Sequence, residues 1–356
     1  MTRQELDDLV IGKPSAEIYQ GIQMEWDRIA KPLGGMGELE RLTARIGACL
    51  GEVHFQIGRK AVIVMCSDNG IVEENISQSG QEVTRAVARA MGQGRSSVGI
   101  MASHIGADVI PVDIGIAGER GIDGVVDKRV ASGTRNFLKG PAMSEAETLA
   151  AIHVGIEMAA YCKAQGYRLL ATGEMGIGNT TTSGAMAAAM TGLSAEAVTG
   201  RGAGLDDERL IHKRAVIAEA LERYHLEQGE TLRILQSVGG LDIAGMTGVY
   251  IGAALNHLPV VMDGVISAVA ALAAERLKSG VKEYIIPSHM SREPAMEYML
   301  KELGLSPIID ASMALGEGTG AVMMFALLDM AMALYRGAAD FAQMGIEAYQ
   351  RHGEAL

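Results

Sequence analysis

Residues 167–183 read YRLLATGEMGIGNTTTS, and this stretch decides the fold. The apolar run at 169–171 predicts a buried strand. Residues 179–181 predict the start of a helix, because Asn and Thr side chains accept the free N–H groups of a first turn. The glycine-rich turn between them carries one carboxylate, Glu174. A strand, a glycine turn and a helix N-terminus together predict an anion-binding site. The alternative is an ordinary turn between strand and helix, in which Glu174 is exposed and binds no ligand.

The same pattern recurs along the chain. Short apolar runs that end in small or acidic residues predict strands at 61–70, 107–116, 168–176, 232–240, 259–264, 283–289 and 307–318. Segments rich in Ala, Met, Glu and Lys predict helices at 16–29, 38–50, 81–91, 144–165, 206–226, 268–279 and 322–334. Apolar strands that alternate with helices indicate an α/β fold, a parallel sheet covered by helices on both faces. Ligands bind such sheets beyond the carboxyl ends of the strands.

The same pattern of predicted strands and helices also predicts the domain organisation. We expect residues 60–320 to form a large α/β domain that binds substrate and carries out catalysis. Residues 1–59 and 321–356 are mostly helical in pattern and are expected to pack together as a small helical domain.

Composition and charge exclude several classes of protein. The formal net charge of −12 argues against nucleic acid or an anionic membrane surface as the main partner. The acidic start lacks a secretory signal and no apolar run approaches the roughly 20 residues of a membrane span, so a cytoplasmic protein is expected. The three cysteines form no CxxC pair and the eight histidines are scattered. We therefore expect neither a metal site nor a metal or redox cofactor.

Two further glycine-rich loops carry candidate chemistry. The loop GRGAG at 200–204 runs into an acidic helix start, and Lys213 on that helix could direct a cation at a phosphate; a solvated surface lysine is the alternative. Glu317 lies between glycines after an apolar stretch, a partly desolvated setting that suits a general base. A charge at a helix N-terminus is the alternative for Glu317. His289 is expected to be a packed residue outside the chemistry.

Eight motifs occur in one order along nearly the whole chain: AKPLGGMGELE (30–40), MCSDNGIVEE (65–74), GEMGIGNTTTS (173–183), GRGAGLDD (200–207), VGGLDIAGMTG (238–248), VMDG (261–264), IPSH (286–289) and LGEGTGA (315–321). In these motifs the chain resembles the nicotinate-nucleotide–dimethylbenzimidazole phosphoribosyltransferase family. The resemblance implies a Rossmann-like parallel sheet with a small helical domain from both chain ends, and a dimer. It also implies transfer of phosphoribose from nicotinate mononucleotide to an aromatic base, which yields the α-ribotide of a cobamide, a vitamin B12-type cofactor.

The resemblance also implies residue roles, without any metal or cofactor. Glu317 would be the general base that takes a proton from the incoming acceptor. The nucleotide phosphate and ribose would be held by Glu174, Gly176, Gly178, Asn179, Thr180, Gly202, Ala203 and Lys213. The acceptor pocket would be formed by Ser79, Val87, Met175 and Leu315.

The acceptor pocket departs from the family pattern. Members that handle benzimidazole usually have a Gln two turns after the serine that aligns with Ser79, where this chain has Val87, and Leu is common at the position of Met175. A lost polar group and a more adaptable side chain suggest a different aromatic acceptor, so phenol or p-cresol is the alternative to a benzimidazole-type base, which stays the first expectation. Homodimer and heterodimer with a paralogous subunit both stay open. Two other functions also stay open: the chain could be a non-catalytic partner subunit, or a sugar-phosphate enzyme that merely shares these loops.

Overall fold

The computed structural model describes residues 1–202 and 204–350, so that Ala203, one of the predicted phosphate-binding residues, lies outside the described residues. The strands in this part of the chain are β1 (Arg59–Ser67), β2 (Asp108–Gly115), β3 (Val126–Asp127), β4 (Tyr167–Met175), β5 (Val260–Met262), β6 (Ile285–Pro287), β7 (His289–Ser291) and β8 (Ile309–Met313). Strands β1 to β6 form one parallel sheet in the order β3-β2-β1-β4-β5-β6, and β7 and β8 form a separate parallel pair. This is the strand order of a Rossmann-like, doubly wound sheet, so the predicted fold class is confirmed.

Helices connect the strands and surround the sheet. The described α-helices are α1 (Arg3–Asp7), α2 (Ala16–Arg28), α3 (Glu38–Leu50), α4 (Glu82–Gly92), α5 (Ser97–His104), α6 (Glu145–Ala164), α7 (Asn179–Thr191), α8 (Ala195–Val198), α9 (Asp207–Tyr224), α10 (Thr231–Val238), α11 (Leu241–Leu255), α12 (Val265–Leu277), α13 (Ala295–Leu303) and α14 (Thr319–Gly337). Two short 3₁₀ helices span Gly70–Glu74 and Val281–Tyr284.

One predicted strand is wrong. Residues 232–240 contain no strand, because most of this segment lies in helix α10. Leu232, Leu235 and Val238 recur every three residues and are buried on one side of the helix. A short apolar run cannot be assigned to strand or helix by periodicity alone, and here the spacing of three was the informative signal. The other six predicted segments each contain a strand.

Strand β1 runs through the centre of the molecule. From Lys60 onward every residue of β1 is buried. Ala61, Ile63 and Met65 pack in one apolar cluster with helices α6, α7 and α10 to α12, whereas Val62 and Val64 pack in a second with α2, α3, α5 and α14. Because successive side chains of a strand point to opposite faces, the sheet carries a helical layer on each side.

The two ends of the chain meet. Ile29 pairs with Asp340 in an antiparallel bridge, and the rings of Trp26 and Tyr335 lie 5.1 Å apart between centroids. The same apolar cluster continues onto the sheet through Val62 and Val64. The assignment of these ends to a separate small domain stays a prediction.

Helix α14 is long and apolar enough to span a membrane by length and composition, contrary to the expectation from the sequence. Its Ala321, Phe325 and Leu328 are fully buried in the described structure. The core helices of a globular protein meet the same criterion, and we interpret α14 as such a helix because it packs on the sheet.

Helices α6 and α11 pack backbone against backbone. A β-carbon on Gly155 would lie 2.0 Å from the carbonyl oxygen of Gly245, and one on Gly248 would lie 1.9 Å from that of Ile152. Such distances are far below van der Waals contact, so only glycine allows the two helices to approach this closely. The first turn of α11 carries Asp242, which accepts a hydrogen bond from Asn179 at the sheet edge where the candidate site lies.

We expect Gly248→Ala to lower the free energy of unfolding by about 1–3 kcal/mol, because the added methyl forces the helices apart. Alanine is the better helix former by about 1 kcal/mol, so destabilisation would show that packing dominates over propensity. Urea unfolding measures the change. Gly140→Ala is the control, since nothing lies within 4 Å of its added β-carbon, and it should change stability by less than ~0.5 kcal/mol. Equal stability of the two variants would contradict the prediction.

Candidate active site

A cavity of about 290 Å³ opens at the carboxyl end of the sheet. Its walls come from the turn after β4, the β5–α12 turn, strand β7 with the residues after it, and the β8–α14 loop. Helix α4 contributes Val87 from the far side. Strands β1 and β4, where the direction of the strand order reverses, lie beneath it. This is the position at which doubly wound sheets bind their ligands.

Helix N-termini converge on one end of the cavity. Helices α7 and α12 begin after Gly178 and Gly264, and in the described structure neither N-cap offers a side-chain acceptor, whereas at α14 the N–H of Ala321 already donates to Asp263 Oδ1 at 3.1 Å. The first N–H groups of a helix carry a partial positive charge and attract anions. The prediction that the side chains at 179–181 cap α7 is wrong, because the amide of Asn179 donates to the carboxylates of Glu174 and Asp242 instead.

Lys213 lies behind this wall and is completely buried. Its Nζ donates to Thr180 Oγ1 at 2.9 Å and to the carbonyl oxygen of Gly200 at 3.3 Å. Burial lowers the pKa of Lys213 to about 8, and the charge of Glu293 only partly opposes that shift. The alternative of a solvated lysine is therefore wrong. Thr180 and Gly202, which do line the cavity, separate this cation from the ligand space.

Four carboxylates line the cavity: Glu174, Asp263, Glu293 and Glu317. Burial raises the pKa of Glu174 to about 8. The hydrogen bond from Asn179 opposes this shift, whereas the nearby negative charges of Asp242, Asp263 and Glu317 add to it. Burial also raises the pKa of Asp263, although His289 opposes that shift. Carboxylates gathered in this way favour a ligand on which positive charge develops.

The backbone of Glu317 is strained. Its φ of 63° is in the left-handed region and lies between Gly316 at 82° and Gly318 at 92°. Non-glycine residues with positive φ are uncommon and cluster at functional sites. The Oε2 atom of Glu317 accepts the N–H of Val98, in the first turn of α5, at 3.1 Å. A β-carbon on Gly173 would lie 2.5 Å from the Glu317 carbonyl oxygen, so the loop rests directly on β4.

The remaining wall is apolar. Val87, Met175, Met313 and Leu315 line it on the side of Glu317. Leu315 is 58% exposed, so this end of the cavity opens to solvent. An apolar wall beside one carboxylate suits a flat ring that carries a single exchangeable proton.

Comparisons with known proteins agree with this geometry. A sequence model of a phosphoribosyltransferase family matches residues 11–346. The nicotinate-nucleotide–dimethylbenzimidazole phosphoribosyltransferase of Acetivibrio thermocellus is 42% identical over 340 residues, which cover 96% of this chain and 97% of that protein. The chain belongs to this phosphoribosyltransferase family. The enzyme of the same name from Clostridium acetobutylicum is 41% identical over 94% of this chain and 95% of that protein. The crystal structure of CobT from Thermus thermophilus is 37% identical, covers 93% of this chain and 99% of that chain, and superposes with a TM-score of 0.88.

Most of the site residues predicted for this phosphoribosyltransferase meet in the cavity. The structure brings together Glu174, Met175, Gly176, Asn179, Thr180, Gly202, Val87, Leu315 and Glu317. Ser79, Gly178 and Lys213 do not line it, and Lys213 is linked to it through Thr180. The roles of all these residues stay predictions.

Sequence reasoning missed several lining residues. The sequence motifs do not predict Asp263, Ser291 and Glu293 as site residues, but all three line the cavity. His289, predicted to be a packed residue outside the chemistry, also lines it. Asp263 lies in the motif VMDG (261–264) near the end of the predicted strand 259–264, so its position at the sheet edge was available as a signal. Glu293 follows no strand-end pattern. Its Oε1 accepts the N–H of Gly202 at 2.9 Å, a contact across the fold that no local pattern reveals.

We expect Lys213→Met not to lower the free energy of unfolding at pH 7.5, because the variant removes a buried charge. A lowered pKa means that the folded state binds fewer protons, so the wild type gains stability relative to the variant as the pH rises from about 8 to 10.5. The gain should reach about 3 kcal/mol at most. Urea unfolding at pH 7.5 and 10.5 measures it. Lys301→Met, at an exposed position, is the control, and a stability difference independent of pH would contradict the prediction.

Proposed function

We propose that the enzyme transfers phosphoribose from nicotinate mononucleotide to dimethylbenzimidazole, releasing nicotinate and forming the α-ribotide, as a step in cobamide synthesis. One observation carries the proposal: the strained Glu317 shares one cavity with the apolar side chains of Val87, Met175 and Leu315 and with the first residues of helix α7. The names of the relatives supply the two substrates. Each part of the cavity has a matching part of the reaction.

The phosphate of nicotinate mononucleotide would bind at the helix N-termini. The hydroxyl of Thr180 supplies a donor there, with the buried charge of Lys213 directly behind it, whereas the N–H of Gly202 is already donated to Glu293. The ribose would then lie beside Glu174 and Asp263. When the bond from C1′ to nicotinate breaks, its electron pair returns to the pyridine nitrogen and positive charge develops on the ribose. The two carboxylates stabilise that charge.

Glu317 would act on the acceptor. Nicotinate leaves from a pyridinium nitrogen and needs no proton, so the reaction requires no general acid. Dimethylbenzimidazole forms a new bond to C1′ and is neutral as a ribotide only when its N–H proton is lost. Glu317 accepts that proton. Attack from the face opposite nicotinate converts the β-linkage to α.

We expect Glu317→Gln to reduce nicotinate release by about 10²–10⁴-fold, because an amide cannot take the proton. The amide oxygen can still accept the N–H of Val98, so the loop should keep its conformation and nicotinate mononucleotide should bind as before. Chromatographic product analysis measures turnover, and calorimetry measures binding.

Glu297→Gln is the matched control for Glu317→Gln, because Glu297 is an exposed glutamate on α13. It should have wild-type activity. A full rate in Glu317→Gln would remove this residue from the mechanism.

A second candidate acceptor is a phenol, such as phenol or p-cresol. Val87 and Met175 support it, because both line the cavity with apolar side chains. A phenolic hydroxyl also loses one proton on transfer, and Glu317 would accept it equally well. Benzimidazole remains the first candidate because it is in the names of the relatives.

The acceptor can be identified with the purified chain, nicotinate mononucleotide and, separately, dimethylbenzimidazole, adenine, phenol and p-cresol. We expect the highest kcat/KM with dimethylbenzimidazole. Val87→Gln should raise the preference for dimethylbenzimidazole over phenol by about 3- to 10-fold, the value of one hydrogen bond. Val87→Leu is the control for volume alone. A preference of the wild type for phenols would support the second candidate instead, and no release with any acceptor would contradict both.

We also propose that the chain acts in the cytoplasm as a dimer, either of two copies or with a paralogous chain. Exposed apolar side chains support an interface near α14 and the segment after it, since Met330, Met344 and Tyr349 are each more than half exposed. Light scattering of the purified chain distinguishes a homodimer from a monomer.

A further inference from the structure

The side-chain amide of Asn179 connects two carboxylates at the base of the cavity. Its Nδ2 atom donates one hydrogen to Glu174 Oε2 and the other to Asp242 Oδ2, the latter at 3.0 Å. Two hydrogen bonds from one nitrogen place the two acceptor oxygens roughly 5 Å apart. Glu174 lines the cavity, whereas Asp242 does not. The amide of Asn179 therefore links a carboxylate that faces the ligand to one that is withdrawn from it.

Asp242 is held firmly in this position. It is completely buried in the first turn of α11, and its Oδ1 accepts the N–H of Ile243 at 3.0 Å. Glycines stand on both sides of it: a β-carbon on Gly176 would lie 2.8 Å from Oδ2, and one on Gly240 would lie 2.3 Å from Oδ1. The backbone approaches so closely that the carboxylate has no room to turn away from Asn179.

We propose that Asp242 is a positioning residue for the transfer reaction, which orients Glu174 through the amide of Asn179 and places a negative charge behind it. The inference rests on the proposed function, in which Glu174 faces the ribose. Without Asp242, the Asn179 amide would lose the acceptor that fixes its rotation, and Glu174 would lose the donor that fixes its carboxylate. Small misplacements of such groups reduce turnover strongly.

The charge of Asp242 acts on Glu174 together with other groups around it. Asp263 after β5 and Glu317 from the β8–α14 loop add negative charge near Glu174, and Asp68 after β1 adds it near Asp242. The nearby cationic groups are Lys213 behind Thr180 and His289 beside Asp263. A like charge disfavours ionisation of its neighbour, so removal of the Asp242 charge should lower the pKa of Glu174.

Asp242→Asn is the decisive variant, and the structure indicates that it folds. Its amide oxygen can accept from Asn179 as the carboxylate does. Its amide nitrogen would lie near Asn69 Oδ1, a buried oxygen without a hydrogen-bond partner among the described residues. The variant thus keeps the contact with Asn179 and removes the charge, together with the hydrogen bond that Oδ1 accepts from the N–H of Ile243. Asp242→Ala removes the contact with Asn179 as well.

The titration of Glu174 tests the inference directly. Carbon-13 NMR of protein labelled at the glutamate carboxyl carbons, with the Glu174 signal assigned by Glu174→Gln, gives its midpoint. We expect the midpoint to fall by about one pH unit in Asp242→Asn. The change in the rate of nicotinate release with pH that reports the ionisation of Glu174 should move to lower pH by the same amount. Asp242→Ala should lower kcat by about 10- to 100-fold and change the affinity for nicotinate mononucleotide little.

Asp113→Asn is the control for a purely structural effect. Asp113 is also buried and pairs with Arg129 at 2.7 Å, away from the cavity, so its loss should lower the melting temperature and leave the Glu174 titration unchanged. An unchanged midpoint in Asp242→Asn would overturn the inference, as would a loss of activity that only follows the loss of stability. Failure of the wild type to release nicotinate with any acceptor would overturn the proposed function instead, and the titration would still decide whether Asp242 acts on Glu174.

Discussion

The contact between the backbones of Gly173 and Glu317 determines the geometry of the whole site. Strand β4 ends next to the β8–α14 loop at a distance that excludes even a methyl group. The loop can follow the strand this closely only because Gly316, Glu317 and Gly318 all adopt the left-handed conformation. As a result, the carboxylate that ends β4 and the carboxylate of the loop share one cavity. The bond from the N–H of Val98 then fixes the second of them.

The charge of the protein opposes its proposed substrate, so binding must depend on local groups. A net charge of −12 repels a nucleotide at long range. At short range the cavity would compensate with the N-termini of α7 and α12 and with the buried cation of Lys213. Backbone N–H groups are suited to this role, because they are held by the fold and need no reorientation when the phosphate arrives.

Much of the fold was predictable, because apolar runs that end in small or acidic residues mark parallel strands. The exception, α10, is an apolar run too short to be distinguished from a strand except by its spacing of three. The part of the site at the end of β4 was predictable, since Glu174, Gly176 and Asn179 lie close together in the sequence. Asp263 and Glu293 required knowledge of which strand ends meet, and that is a property of the topology. Lys213 was predicted as a phosphate residue, but its burial behind Thr180 could not be inferred from a helical pattern.

The site buries two ionisable groups, Lys213 and Glu174. Burial disfavours ionisation of both Lys213 and Glu174, as their shifted pKa values show. The packing elsewhere, such as that of α6 on α11, has to offset this cost. In the proposed reaction, the phosphate would bind in front of Thr180 and so close to Lys213, and positive charge would develop near Glu174 only as the glycosidic bond breaks. An interaction that strengthens only in the transition state lowers the barrier and leaves the bound substrate no more stable. The unfavourable burial of Glu174 is therefore part of how the site would accelerate the transfer.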